Sequence, residues 1–562
     1  MPYRVPSART RPSAIARLAA ETFGWATLRP GQEEAASAVA DGRDALVVMP
    51  TGYGKSAVYQ LAGTVRGGIT VVVSPLIALQ ADQVLSLERM VSADRSGRLA
   101  HAVALNSTLA EAEIEAVWAA LADGSAGFLL LSPEQLGSEA QLDRLRALDV
   151  RLVVVDEAHL VSSWGHDFRP DYLSLGAQIA SLSTHGRHPP ILALTATGAG
   201  PVRDEIVERL GLAEALVLAR GFDRPEIRLE VRRHEGHAEK QRAVVDDIAG
   251  LPTPGLLYTS TRRAAEDYAT ALRERGLRVA AYHAGLPASV RSGVHRRFLD
   301  GELDVVTATS AFGMGIDKPD VRLVAHADIT DSIDSYYQEI GRSGRDGRPA
   351  LARLHYRAQD LGLRSFFESG LPDEAELARV YAHIRDLGRS GRAELSSALG
   401  LAPRTARALV NLLQDADLVG TRGRRLAVAA DVSPEEAARR AVATAESRNR
   451  IEQSRIAMVR AYAETGQCRR TFLLGYFGEE RTTPCGNCDT CDSGSAMDHA
   501  TTERDAADDD FAVDSTVRHT RWGEGTVMRV EPDRITVFFD DEGYKVLSRH
   551  DIEERGLVTA AE

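Results

Sequence analysis

The stretch Val47–Gln60, VVMPTGYGKSAVYQ, decides the fold. Leu46, Val47 and Val48 make an apolar run of the kind that fills a parallel strand buried on both faces. The run breaks into a loop bearing Gly52 and Gly54 and closes on Lys55 and Ser56. Glycines there let backbone N–H groups turn toward an anion with no Cβ in the way, and the residues from Ala57 to Ala62 begin a helix whose positive end faces the same point. A lysine in this place reaches the outer phosphates of a nucleotide, and the hydroxyl after it ligates Mg²⁺. Met49 stands where the first glycine of the usual G-x-x-x-x-G-K-[ST] spacing falls. Lys55, Lys240, Lys318 and Lys545 are the only lysines in the chain, so one of them landing in this loop carries weight.

Outward from the loop, Phe23–Gln32, FGWATLRPGQ, precedes a helix over Glu33–Ala40 and makes Gln32 a candidate for the adenine edge. Ile69–Val73 reads as a strand ending in SPLIALQADQV, where Ser74 and the following helix start are candidates for holding a polymer phosphate; a plain strand-to-helix connection is the other reading. Phe128–Leu131 is a further strand. Arg151–Leu160, RLVVVDEAHL, is the second decisive stretch: a buried β-branched run delivers two carboxylates and a histidine at its C-terminal end, where ligands gather in doubly wound sheets. Asp156 in this setting holds Mg²⁺, Glu157 orients and deprotonates the water that attacks the γ-phosphate, and His159 faces the neighbouring lobe. Ile191–Thr197, ILALTAT, ends in the hydroxyls of Thr195 and Thr197, a relay between nucleotide and polymer. Trp164, Phe168, Arg169 and Tyr172 follow the carboxylates, and aromatic faces with arginine suit unpaired bases and phosphates; a packed surface loop is the alternative.

A second alternating series follows. Gly255–Thr259, Arg278–His283 and Val305–Thr309 read as strands, the last leading into SAFGMGIDKPDVR with Asp317 and Lys318. Ser335–Gly347, SYYQEIGRSGRDG, spaces Gln338, Arg342 and Arg345 by four and three, which predicts a helix carrying both guanidiniums on one face. Two such halves predict a nucleotide held between them, with arginines of the second completing the charge clamp on the transferring phosphate.

The ordered set FGWATLRPGQ, MPTGYGKS, VVSPLIALQADQV, DEAH, SSWGHDFRPDY, LALTAT, AFGMGIDKPDVR and YYQEIGRSGRDG closely resembles the helicase core of the RecQ family within superfamily 2, over residues 15–360. The resemblance implies an α/β fold of two tandem RecA-like lobes with parallel sheets, and ATP-driven movement along single-stranded DNA in the 3′ to 5′ direction, serving DNA repair or recombination. It implies that Arg29, Gln32, Thr51, Gly52, Gly54, Lys55, Ser56, Asp317 and Arg345 bind ATP. Ser56 and Asp156 then hold Mg²⁺, while Lys55, Asp156, Glu157, His159, Gln338, Arg342 and Arg345 serve catalysis. Ser74, Trp164, Phe168, Arg169, Thr195 and Thr197 are the DNA-coupling set.

Beyond the motor, residues 372–430 predict a winged-helix-like domain, with Arg404, Arg407, Arg422, Arg424 and Arg425 on its third helix and wing. All four cysteines fall within Cys468–Cys491, which favours a metal site in a reducing compartment over a disulfide framework. Cys468, Cys485, Cys488 and Cys491 predict a structural zinc site saturated with sulfur, in a helical module over 435–492. That module also resembles the RecQ zinc domain, but the order departs from the family, where the winged helix usually follows the zinc. The family's strand-separating hairpin is therefore not transferable by position, and the turn at Gly423 is the nearest candidate wedge. An acidic linker over 493–510 leads to 511–562, whose glycine turns and alternating ITVFF predict a Tudor- or SH3-like barrel. Its HTRWGEGTV pattern resembles the C-terminal module of certain bacterial superfamily 1 helicases, which implies a protein partner such as RNA polymerase.

The remaining domain boundaries are a tail over 1–14, a first lobe over 15–210 and a second over 211–365. The net charge of −13 argues against indiscriminate nucleic-acid binding but leaves room for a local basic track. No apolar run reaches the roughly 18 residues of a membrane span, and the expected location is the bacterial cytoplasm, on the nucleoid. Two other functions suit the same residues: a translocase that unwinds poorly, motivated by the displaced winged helix, and a polymerase-docking scaffold without essential catalysis.

Overall fold

The computed structural model describes residues 13–94, 96–162, 172, 174–183, 188–313, 318–361, 373–388, 390–422, 425–479, 481–497, 511, 515–530 and 534–560. The chain forms two compact units, one of Met1–Gly198 with Val202–Phe222 and one of Asp223–Gly313 with Lys318–Glu562.

The first unit is a seven-stranded sheet in the order β3-β4-β2-β5-β6-β1-β7. Its strands are β1 (Ala45–Val48), β2 (Ile69–Val73), β3 (His101–Leu105), β4 (Ala126–Leu131), β5 (Val150–Val155), β6 (Ile191–Thr195) and β7 (Leu216–Ala219). All its pairings are parallel. Its central strands are sealed on both faces, which is why their sequences are near-continuous Val, Leu and Ile rather than alternating. Three helices bear on the site: α1 (Gln32–Ala40), α2 (Lys55–Arg66) and α3 (Ile77–Ala93). The register sets Val48 beside Thr195 and Val155 beside both Ala193 and Val73, so the ends of β1, β6, β5 and β2 lie side by side.

The lobe boundary expected after residue 210 is corrected. The short run Leu216–Ala219 pairs with β1 along the sheet edge, and the first unit extends to Phe222. Four residues are too few to announce a strand by periodicity.

The second unit begins with a six-stranded parallel sheet, β10-β11-β9-β12-β13-β8. The strands are β8 (Ile227–Arg233), β9 (Gly255–Tyr258), β10 (Val279–Tyr282), β11 (Val305–Ala308), β12 (Leu323–His326) and β13 (Ala350–Tyr356). Helix α4 (Ile333–Ile340) follows β12 and is started by Ser332, whose hydroxyl accepts from the N–H of Ser335.

Three helices come next, α5 (Glu374–Leu387), α6 (Arg392–Leu399) and α7 (Pro403–Asp415), with the antiparallel hairpin β14 (Val419–Arg422) and β15 (Arg425–Val428). They share one apolar core built on Leu377, Tyr381, Leu395, Leu409, Leu413 and Leu426. Three helices and a hairpin on one core are the layout that the winged-helix expectation asks for. The long α8 (Pro434–Glu464) and α9 (Arg469–Tyr476) frame the four cysteines.

The C-terminal segment is an antiparallel half-barrel in the order β19-β18-β17-β16-β20, made of β16 (Thr516–His519), β17 (Gly523–Val530), β18 (Arg534–Phe539), β19 (Gly543–Ser548) and β20 (Val558–Ala560). A register shift between Val527 and Arg529 bends the sheet. Gly525 lies so close to β18 that an added Cβ would stand 2.7 Å from the Phe538 carbonyl oxygen.

Candidate active site

The phosphate loop leaves the end of β1 and enters α2 through Gly54, which adopts φ 85° and ψ 40° and carries no side-chain cap. Such a left-handed turn suits glycine, and the uncapped N–H groups behind it form an anion-binding helix end. A Cβ at Gly54 would meet the Gln32 amide nitrogen at 2.8 Å. Gln32, 4% exposed, donates to the carbonyls of Tyr53 (3.0 Å) and Gly54 (2.9 Å) and accepts from the Arg29 N–H (2.8 Å). Arg29 donates to the Gly52 carbonyl at 2.6 Å and lies over the Tyr53 ring. Gln32 and Arg29 thus brace the loop from its upstream side. Lys55 folds back to donate to the Met49 carbonyl at 3.1 Å.

Asp156 and Glu157 follow β5, one strand beyond β6 from the loop. Buried Asp156 accepts from the Gln83 amide at 2.9 Å and from the Glu157 N–H at 3.0 Å. Glu157 sits in the left-handed region at φ 48° and ψ 48°, a conformation that costs a non-glycine residue about 1 kcal/mol. The turn brings the Glu157 carboxylate within 3.4 Å of His159 Nδ1. The same nitrogen is 3.0 Å from Thr195 Oγ1, and Thr195 donates to the Thr197 carbonyl at 2.8 Å. Burial, reinforced by the nearby Asp156 charge, pushes the Tyr59 hydroxyl well above its ordinary pKa, so that phenol stays neutral.

Ser74 is fully buried, and its carbonyl accepts from Gln80 at 2.9 Å. Through that backbone carbonyl the residue fastens α3 to the end of β2. Trp164, Phe168, Arg169 and Asp317 lie outside the described residues, as do Gly423 and Arg424. Sequence reasoning missed Gln83 and Gln80. Their spacing of three on α3, in ALQADQV, was the available signal, since it puts both amides on one helix face.

In the second unit the expected single helix face for Arg342 and Arg345 is corrected. Helix α4 ends at Ile340 with Gly341 as its cap, so both arginines stand in the turn beyond it. Arg342 is 4% exposed and half-buried Gln338 lies in the last turn of the helix. The buried pair His326–Glu339, 2.7 Å apart, ties α4 to the end of β12, with His326 stacked on Tyr258.

The four cysteine sulfurs lie within 4.8 Å of one another, and Cys485 and Cys491 are 3.9 Å apart. A tetrahedral zinc with Zn–S bonds of 2.3 Å needs sulfurs about 3.8 Å apart, so the cluster fits the ion. The cysteine loop covers the edge strand β8: Leu229 bridges to Cys488, and the Val231 N–H donates to Asp489 at 3.1 Å. Buried Arg470 pairs with Asp223 at 2.9 Å, and Arg469 pairs with Asp489 at 2.6 Å.

Two parallel-sheet units, a glycine loop leading into a helix, and a carboxylate pair two strands along the sheet define a helicase core. Solved structures share this fold at low identity: a DNA-bound DUF1998 helicase MrfA (15% identity, TM-score 0.53, 76% of this chain and 64% of that one) and the Mycobacterium smegmatis helicase Lhr bound to ssDNA and AMP-PNP (19%, TM-score 0.51, 94% and 78%). Family models for a DEAD/DEAH box helicase, a helicase conserved C-terminal domain and a RecQ zinc-binding domain match residues 29–205, 241–347 and 430–492. The probable ATP-dependent DNA helicase RecS of Bacillus subtilis is 35% identical, with 69% of this chain covering 77% of that protein. The ATP-dependent DNA helicases RecQ of Haemophilus influenzae and Pasteurella multocida are each 35% identical, over 86% and 84% of this chain. This chain spans 64% and 61% of those two relatives. The chain belongs to the RecQ family of helicases.

Proposed function

We propose that this protein is an ATP-dependent 3′ to 5′ DNA helicase or translocase of RecQ type that acts in DNA repair or recombination. The observation that carries the reading is the grouping of Lys55, Asp156, Glu157 and Thr195 at the ends of the neighbouring strands β1, β5 and β6. In this reading Thr51, Gly52, Gly54, Lys55 and Ser56 cradle the phosphates, and Arg29 and Gln32 join the adenine side. Glu157 takes the proton of the attacking water. Ser56 and Asp156 hold Mg²⁺, which supplies neutralising charge to the phosphates. His159, Thr195 and Thr197 link that centre to the DNA-coupling residues Trp164, Phe168 and Arg169. Asp317 takes the ribose, and Gln338, Arg342 and Arg345 answer the charge that develops on the transferring phosphate.

The partner is single-stranded DNA with a 3′ tail or a branched junction, and the exposed arginines of α7, Arg404 and Arg407, add a duplex contact. The half-barrel is a dock for a protein such as RNA polymerase, and the site of action is the cytoplasm. Among the described residues no helix is long and apolar enough to cross a membrane. The test is phosphate release titrated with single-stranded DNA, duplex and RNA, beside strand displacement on a 3′-tailed duplex. DNA-stimulated turnover with displacement is expected; absence of any nucleic-acid dependence overturns the reading. One observation favours a translocase with weak unwinding instead: among the described residues the three helices and hairpin of 374–428 precede the cysteines, whereas the family's winged helix usually follows them. Strong ATPase with no displacement would select it.

A further inference from the structure

Helix α4 is held on the side of the zinc module by a series of aromatic contacts that none of the motor residues explains. Tyr336 packs at a tilt against Tyr462 of α8 with ring centres 5.1 Å apart, and their hydroxyls are 3.3 Å apart. Tyr337 packs on Phe477 at 4.8 Å. Asp334, in the first turn of α4 and 8% exposed, accepts from the Tyr476 hydroxyl at 2.6 Å. Tyr476 in turn accepts from the hydroxyl of Tyr544, at 3.3 Å, with ring centres 5.6 Å apart. Tyr544 belongs to β19 of the half-barrel, so an unbroken line of hydroxyls runs from the C-terminal segment to the helix that ends in the arginine loop.

The half-barrel is seated firmly enough to carry position along that line. Gly543 lies against α8 so closely that an added Cβ would meet Ser454 Oγ at 2.1 Å, and the Tyr544 N–H donates to the same oxygen at 3.0 Å. Arg529 lies over Phe472 of α9 at 4.4 Å, and Arg450 donates to the Asp541 carbonyl at 2.9 Å. A module joined only by its linker would make none of these contacts.

We propose that Tyr476 and Tyr544 are positioning residues for ATP hydrolysis: through Asp334 they fix the pose of α4, and with it Arg342 and Arg345, so the half-barrel is a working part of the motor. The proposal rests on the motor reading above. Buried hydroxyl chains polarise one another and rigidify what they join, so removing one link loosens the helix without touching the nucleotide loop.

The experiment is steady-state ATPase of the full chain with saturating single-stranded DNA. Tyr476→Phe and Tyr544→Phe each keep a ring and delete one hydroxyl. The expected result is a kcat lowered roughly tenfold for Tyr476→Phe and roughly threefold for Tyr544→Phe, with KM for ATP held within about twofold and zinc content unchanged. In an Arg345→Ala background neither change should lower kcat further. Gly543→Ala, which unseats the half-barrel from α8, should reproduce the Tyr544→Phe loss. An active wild type whose variants keep full kcat, or whose losses add to that of Arg345→Ala, overturns the strut. A wild type with no nucleic-acid-dependent phosphate release instead sinks the motor reading on which it rests.

Discussion

Lys55, Asp156 and Thr195 stand at or just beyond the ends of three adjacent strands in one parallel sheet, and Gln32, Gln83, Met49 and His159 of the same unit support that cluster. Arg342 and Arg345 stand in a turn past a helix of eight residues, and that helix is braced from α8 and α9, more than a hundred residues further along the chain. One centre is made by local strand-to-loop geometry. The other is braced by a module that carries the four-cysteine cluster. The contrast teaches that two halves of similar build solve the same problem by different means, so injury to each should look different.

The largest effect is expected where the first centre does chemistry. Glu157→Gln keeps the shape and the left-handed turn but cannot accept a proton, so turnover should fall by about 10³-fold while nucleotide binding persists. Fluorescent-nucleotide titration beside phosphate release checks it, and unchanged turnover would remove Glu157 from its role. Zinc removal attacks the second centre. Stripping the ion with a chelator, or Cys488→Ser, should unfold the loop covering β8 and release α4, lowering turnover by about 10²-fold. Nucleotide affinity at the phosphate loop should stay nearly constant. If chelation abolishes nucleotide binding as readily as turnover, the distinction between a self-supporting and a borrowed centre fails.

A milder blow falls on the seam itself. Arg470 is buried against the second sheet, pairing with Asp223 and donating to the Ile227 carbonyl, while Arg481 also holds Asp223 at 2.9 Å. Because Arg481 remains, Arg470→Ala should cost about 2 kcal/mol of stability rather than the full penalty of stranding a buried partner. Denaturant unfolding measures it. A loss confined to the zinc module and second sheet, with the first unit's transition unmoved, would sharpen the contrast.

The placement of the first cluster was legible because its residues lie in contiguous stretches: a glycine loop, a carboxylate pair and a threonine pair, each at the end of a sealed strand. The zinc site was legible from the spacing of four cysteines. The second centre was legible only in its residue types. The spacing of Gln338, Arg342 and Arg345 suggested a shared helix face, and Gly341 ends the helix before either arginine. Its braces could not be read at all, since Asp334, Tyr476 and Tyr544 are separated by 142 and 68 residues and carry no motif.

The smallest expected effect separates the halves by acidity. His355 on β13 is fully buried, with Nδ1 3.1 Å from His234 Nε2 and Arg353 nearby, and burial, then those neighbours, lowers its pKa to about 2 from an ordinary 6.5. Between those values the unfolded chain holds a proton that the folded chain refuses, so stability is retained above pH 6.5 and lost as the pH falls below it. The slope for one such group approaches about 1.4 kcal/mol per pH unit. His355→Gln keeps a polar partner for His234 and removes the titration, so the acid limb of the unfolding curve should flatten by up to that amount. Hydrogen exchange should show the amides of β8 and β13 losing protection first as the wild type is acidified, with the first sheet lagging. Equal loss in both sheets, or an acid limb indifferent to His355→Gln, would mean that the second unit's sensitivity lies in its borrowed supports and not in its sheet.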